Sequence, residues 1–346
     1  MRKSIRFGLI AILLVITIAT VGFIFGQKIK RTQKLEVDTN PTTNMRNLVI
    51  KTDLQKYGIE VISSTDFNFD SEFLKHVGGR SDLLTLVNST KPFAFFIKNN
   101  SSKEIVGVSL RWEFIDSQGN KTKFPQNEAN PGVLMGIKPV DPNMVGKTSL
   151  INSKEMKFFT YFNEPVIQQI ALANLRFKNP TVNYPYSVDS GNTQSAISNL
   201  NFQKEKIFSY YQELSVSVDG IIFNDGIFVG EDQNFFFDSL RGDIEARKDI
   251  LTALTQARSI GKTNADILDD ILSNTANISV NSAGLHTDNT TREQVYDFAY
   301  KNYLKNLRSD LLMRRKRISD DYIVQQLQLS RLSGFVTIRK VDDFTK

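Results

Sequence analysis

A Gly-Lys-Thr triplet occurs twice in this chain, at Gly146–Thr148 and at Gly261–Thr263. A phosphate-cradling loop needs another glycine five residues earlier, between a strand and a helix, so that bare backbone amides can face the anion. Asp141 and Gln256 stand at those positions, so the triplets read as a turn and a helix cap. Ser259-Ile260-Gly261-Lys262 has the spacing of a lysine-activated serine, but the chain carries neither Ser-Asp-Asn nor Lys-Thr-Gly to complete that site. Asp219, Asp225, Glu231 and Asp232 cluster in sequence and offer oxygen ligands for calcium, without the fixed spacing of a binding loop. A solvated turn is the simpler reading. His76 and His286 are the whole imidazole complement, and there is no cysteine. Thiolate metal sites, cysteine nucleophiles and histidine-rich metal centres are therefore excluded. Arg314-Arg315-Lys316-Arg317 is the densest positive charge of the body. It suits an acidic partner or an anionic lipid, or simply complements the dipole at a helix C-terminus. These readings assign no catalytic, cofactor-binding or metal-ligating residue, and no cofactor.

The elements that would position such groups begin with an apolar run. Residues Phe7 to Gly26 are twenty in number and carry no charge, enough to span roughly 30 Å as a helix. Arg2, Lys3 and Arg6 precede the run, and Lys28, Lys30, Arg31 and Lys34 follow it. The expectation is an uncleaved transmembrane signal-anchor over 1–27 with the lipid bilayer as its partner, favoured by length over a cleaved signal. A polar linker follows over 28–46. The chain's net charge of +6 resides wholly in residues 1–46, leaving the body neutral. Such a body is not expected to bind nucleic acid.

From 47 to 230 the pattern is that of strands. In Ile105–Ile115, Val106, Val108, Leu110, Trp112 and Phe114 alternate with Gly107, Ser109, Arg111 and Glu113, which predicts one buried and one wet face. Phe93–Lys98, Met156–Phe162 and Leu214–Val218 read as further strands. Asn224-Asp225-Gly226, between Ile221–Phe223 and Ile227–Val229, signals a hairpin. The segment FAFFIKNNSSKEIVGVSLRWEF, with Trp112 inward, resembles immunoglobulin-like modules, which implies an antiparallel β-sandwich; the paired cysteines of antibody domains are absent. VSVDGIIFNDGIFVG resembles segments of uncharacterised bacterial membrane-anchored or exported proteins, a likeness that carries over no activity.

Beyond Gly230 the periodicity becomes helical, and no proline follows Pro185. Asp232 can cap a helix running to about Arg258, Thr263 a second, and Thr290 with Glu293 a third, with a restart at Ser319. The expected fold is thus α+β: a sandwich at 47–230, a helical region at 231–333 and a strand or tail at 334–346. The expected function is a membrane-anchored extracytoplasmic structural or partner-binding protein without catalytic activity. Two alternatives stand beside it: an exported hydrolase whose carboxylates the fold brings together, and a tethered adaptor with a cytosolic body.

Overall fold

The computed structural model describes residues 49–130, 132–136, 149–162, 190–280, 289–328 and 334–341. In chain order these form β1 (Val49–Lys51), β2 (Ile59–Ser63), α1 (Phe69–His76), α2 (Asp82–Thr90), β3 (Ala94–Asn99), β4 (Ile105–Asp116), β5 (Lys121–Ala129) and β6 (Met156–Thr160). Next come α3 (Ser190–Tyr210), β7 (Tyr211–Phe223), β8 (Ile227–Val229), α4 (Phe236–Ser259), α5 (Asn264–Asn274), α6 (Arg292–Arg314), α7 (Asp320–Gln328) and β9 (Arg339–Lys340). Arg46–Lys346 make up one compact unit.

Two sheets face each other. The larger runs β5-β4-β7-β8-β9 with β1 also on β7, and the smaller runs β2-β3-β6. Aromatic side chains fill the space between them. Trp112 on β4 lies 6.0 Å from Phe95 on β3, which stacks 5.8 Å from Phe159 on β6. Val108, Leu110 and Phe114 from β4, with Leu214, Val216 and Val218 from β7, join this buried cluster. Trp112 has no exposed surface and donates its indole N–H to Gln126 Oε1 at 2.7 Å. The hairpin forms where expected: Gly226 takes φ +82° after Phe223, and Ile222 pairs with Phe228.

The other face of the larger sheet lies under helix α4. Val106, Ile222 and Phe228 pack against Phe236, Leu240 and Ile244. Gly220 makes room there, since a Cβ at that position would meet the Phe228 ring at 2.2 Å. A second helical core joins α4 through Ala246 and Leu254, α5 through Ile267 and Ile271, α6 through Leu304 and Leu311, and α7 through Ile323 and Val324.

Several expectations are corrected. The chain is α+β, but its larger sheet is mixed, because β1 runs parallel to β7 and β9 parallel to β8, while the smaller sheet is antiparallel. Helices α1, α2 and α3 interrupt the segment read as all strand. The outer face of β4 is not wet, because Phe236 of α4 lies over Gly107 and the loop leading into α4 covers Ser109 and Arg111. No helix among the described residues is long and apolar enough to cross a membrane, and Phe7–Gly26 and the linker 28–46 lie outside the described residues. The expected transmembrane helix, signal-anchor and single-pass membrane location find no support among the described residues.

Helix boundaries follow local chemistry. Thr263 caps α5 in a reciprocal box with Asp266. The box opening α6 is Thr291 with Gln294, one residue later than the Thr290–Glu293 pair of equal spacing. Ser319 restarts the chain into α7, its Oγ accepting from Tyr322 N at 3.4 Å. Of the strand or tail expected at 334–346, Arg339–Lys340 pairs as a strand.

Candidate functional site

The densest polar constellation grows from two irregularities in the β4–β7 pairing. Ile105 pairs with Phe223 and Gly107 with Ile222, so Val106 is an extra residue on β4. Ser109 pairs with Gly220 and Leu110 with Val218, so Asp219 is an extra residue on β7. A bulge breaks the two-residue alternation and re-aims the side chain it extrudes. Val106 therefore faces the helices while Val108 faces the small sheet. On β7 the inward set shifts from even positions up to Val218 to odd ones, Ile221 and Phe223.

Asp219 is extruded toward the loop that leads into α4, and its side chain is wholly buried. Its carboxylate accepts the backbone N–H groups of Gln233 and Asn234, each at 2.9 Å. Its carbonyl accepts Asp232 N, also at 2.9 Å. Successive amides converging on one anion form a nest, here filled by the chain's own carboxylate. Arg111 stands 3.7 Å away and also binds the Gln233 side chain. Asn234 Nδ2 donates to Ser109 Oγ and to the Leu110 carbonyl, tying the loop to β4. Burial raises the Asp219 pKa, opposed by the two amides and by Arg111. These ties hold a strained loop, because Asp232 and Phe235 adopt left-handed φ of 59° and 55°. Such non-glycine conformations cost of order 1–3 kcal/mol each and persist only where the surroundings fix them.

The second half of the constellation is a carboxylate pair. Asp232 and Asp238 both bind Arg292 Nη1, at 2.7 and 2.8 Å. Their side chains are 0% and 6% exposed, whereas that of Arg292 is 45% exposed. Asp232 also accepts Phe237 N at 3.0 Å, satisfying a donor at the start of α4, and Lys340 of β9 approaches it to 3.5 Å. The guanidinium lies over the Phe235 ring at 5.1 Å. The cluster thus joins β4, β7, β9, α4 and the N-terminus of α6.

Of the four acids read as possible calcium ligands, the fold gathers Asp219, Glu231 and Asp232 and leaves Asp225 on the hairpin, paired with Lys103 at 2.6 Å. No group of three His, Asp or Glu residues among the described residues could hold a metal ion. Ser259 donates to the Gln256 carbonyl at 2.7 Å, and Lys262 pairs with Asp270 at 2.6 Å. Gly261, at φ +79°, ends α4 just before the Thr263 cap. Gly146–Thr148 and His286 lie outside the described residues. His76 closes α1, 5.4 Å from the Phe96 ring. Arg111 and Arg292 were missed by the reading of the sequence. The signal for Asp219 was present as the slip in alternation between Val218 and Ile221. Arg292 left none, because its partners lie 54 and 60 residues away.

Comparison with protein-family models, with curated proteins and with solved structures finds no match for this chain.

Proposed function

We propose that the body is a non-catalytic structural or partner-binding module. The observation that carries this reading is the fate of the buried carboxylates Asp219, Asp232 and Asp238. A hydrolase of the paired-carboxylate kind needs one acid and one base opening onto a substrate cleft. Asp232 and Asp238 are close enough, but a single guanidinium nitrogen binds both. Asp219 is likewise committed to two backbone amides. These groups fasten the loop and helices to the sheet, and their side chains are buried.

Assays of the full-length chain against nitrophenyl esters, nitrophenyl glycosides and peptide anilides test the reading. Turnover is expected with none of them. Asp238→Asn is expected to lower unfolding stability by about 1–3 kcal/mol, as loss of a charged partner from a buried network does. A hydrolytic activity lost in Asp238→Asn while the circular dichroism stays unchanged would overturn the proposal.

A further inference from the structure

Residues 334–341 form a strap along the edge of β8 that faces away from β7. Their bonds run through the main chain. Val336 N donates to the Leu134 carbonyl at 2.8 Å, and Arg339 N and Val341 N donate to the Gly226 and Phe228 carbonyls, each at 3.0 Å. The 132–136 segment and the β7–β8 hairpin are thus the two walls of a cleft that holds the strap. Bare backbone permits the approach: a Cβ on Gly226 would stand 2.5 Å from the Thr337 carbonyl oxygen, and one on Gly136 would stand 2.6 Å from that of Gly334.

Exposure alternates along the strap with the period of an extended chain. Val336, Ile338 and Lys340 are half-buried, while Thr337 and Arg339 between them are exposed. Val336 and Ile338 pack on the cluster that includes Val106, Ile222 and Phe228. Lys340 reaches the buried Asp232 carboxylate at 3.5 Å and donates to the Glu231 carbonyl at 3.2 Å. The cleft therefore reads an extended backbone through its carbonyls, and the pattern apolar-x-apolar-x-Lys through its floor. The hold on the strap is slight. Only Arg339 and Lys340 pair in register with β8, and none of residues 334–341 is fully buried.

We propose that this cleft is a strand-addition site which the strap fills as an internal stand-in, and that an extended partner-protein segment of the pattern apolar-x-apolar-x-Lys displaces the strap. The proposal rests on the partner-binding reading and names its surface and its ligand class. The seated strap defines the occupant: main-chain N–H groups aimed at the cleft carbonyls, two apolar side chains and one cation opposite a buried carboxylate. A second copy would bring the identical segment and gain no contact that the strap lacks, while the strap competes at the high effective concentration of a tethered ligand. A partner with contacts beyond the cleft escapes that limit.

The test uses the full-length chain and a fluorescein-labelled peptide with the sequence of residues 334–341, read by fluorescence anisotropy. The parent chain is expected to bind it weakly, because its own strap competes. Val336→Ser with Ile338→Ser in the chain loosens the strap and is expected to tighten peptide binding by about tenfold or more. A peptide carrying Lys340→Glu is expected to bind that variant about tenfold more weakly, through repulsion from Asp232. Circular dichroism monitors folding of every variant. The proposal is overturned by peptide binding no stronger in the strap variant than in the parent, or by equal affinity for the two peptides. Loss of folding in the strap variant also overturns it, since the segment would then be an integral part of the fold. A parent dimer that the strap substitutions dissolve would assign the cleft to a second copy and overturn it as well. None of these outcomes touches the non-catalytic reading, which fails only through turnover.

Discussion

The larger sheet has two covered faces built on opposite plans. Toward the small sheet it presents Trp112, Phe114, Val216 and Ile221, and the opposing sheet answers with Phe95 and Phe159. Contacts there are apolar and directionless, and aromatic rings take up much of the volume. Toward the helices it presents glycines, Ser109, Arg111 and the extruded Asp219, and the helical layer answers with Asn234, Asp232 and Arg292. That face is held largely by directed bonds, and its apolar part is Val106, Ala129, Ile222 and Phe228 at α4. The difference separates two ways of attaching a layer. An aromatic seam tolerates small displacements, whereas a carboxylate in an amide nest fixes one loop geometry and leaves a large penalty if a partner is lost.

Breaking the aromatic face has the largest expected effect. Trp112→Ala removes a wholly buried ring together with its bond to Gln126 and is expected to cost about 3–5 kcal/mol in denaturant unfolding. A cost under about 1 kcal/mol would mean that the two sheets are not packed through this residue. Breaking the polar face at its centre comes next. Asp219→Ala leaves the Gln233 and Asn234 amides without their acceptor and is expected to cost about 2–4 kcal/mol. Hydrogen exchange is expected to speed up first at those two amides, ahead of the β4–β7 ladder.

A smaller effect concerns pH. Asp243 sits on α4, and burial pushes its pKa from the ordinary 3.8 up to about 7. Burial raises Asp219 in the same sense. A carboxyl whose pKa is raised by folding holds its proton in the native state after the unfolded chain has lost it. Stability is therefore expected to be greatest below about pH 4 as far as these groups are concerned, and to fall as pH rises toward about 7. Asp243→Asn is expected to flatten that slope, measured as midpoint against pH. An unchanged slope would place the titrating group elsewhere.

The same contrast explains what was legible in the sequence. The aromatic face was readable because burial against a sheet imposes period two, and Leu110, Trp112 and Phe114 keep it without interruption. The hairpin was readable from Asn224-Asp225-Gly226, and the Thr263 cap from a threonine standing just before the apolar stripe of Ile267, Leu268, Ile271 and Leu272. The polar face was not. Two bulges break the period, so Val106 was placed with Val108 on the wrong side, and Arg111 was taken as a wet-face residue although its side chain is 15% exposed. Helix α3 was missed because Ser190–Tyr210 carries a weak apolar stripe. Its hold on the core comes from distant contacts such as the Phe208 ring stacked 5.3 Å from Phe93. A pairing between residues far apart in the chain leaves no local trace.

The central claim is that the Asp232–Asp238–Arg292 cluster holds the layers together. Its most direct test is a comparison of Arg292→Met with the triple change Arg292→Met, Asp232→Asn and Asp238→Asn, read by equilibrium unfolding. Removing the guanidinium leaves the two buried carboxylates with only Lys340 at 3.5 Å and Arg241 at 3.3 Å and is expected to cost about 3 kcal/mol, while neutralising all three groups together is expected to restore most of that loss. A single variant as stable as the parent, or a triple variant no more stable than the single, would contradict the account.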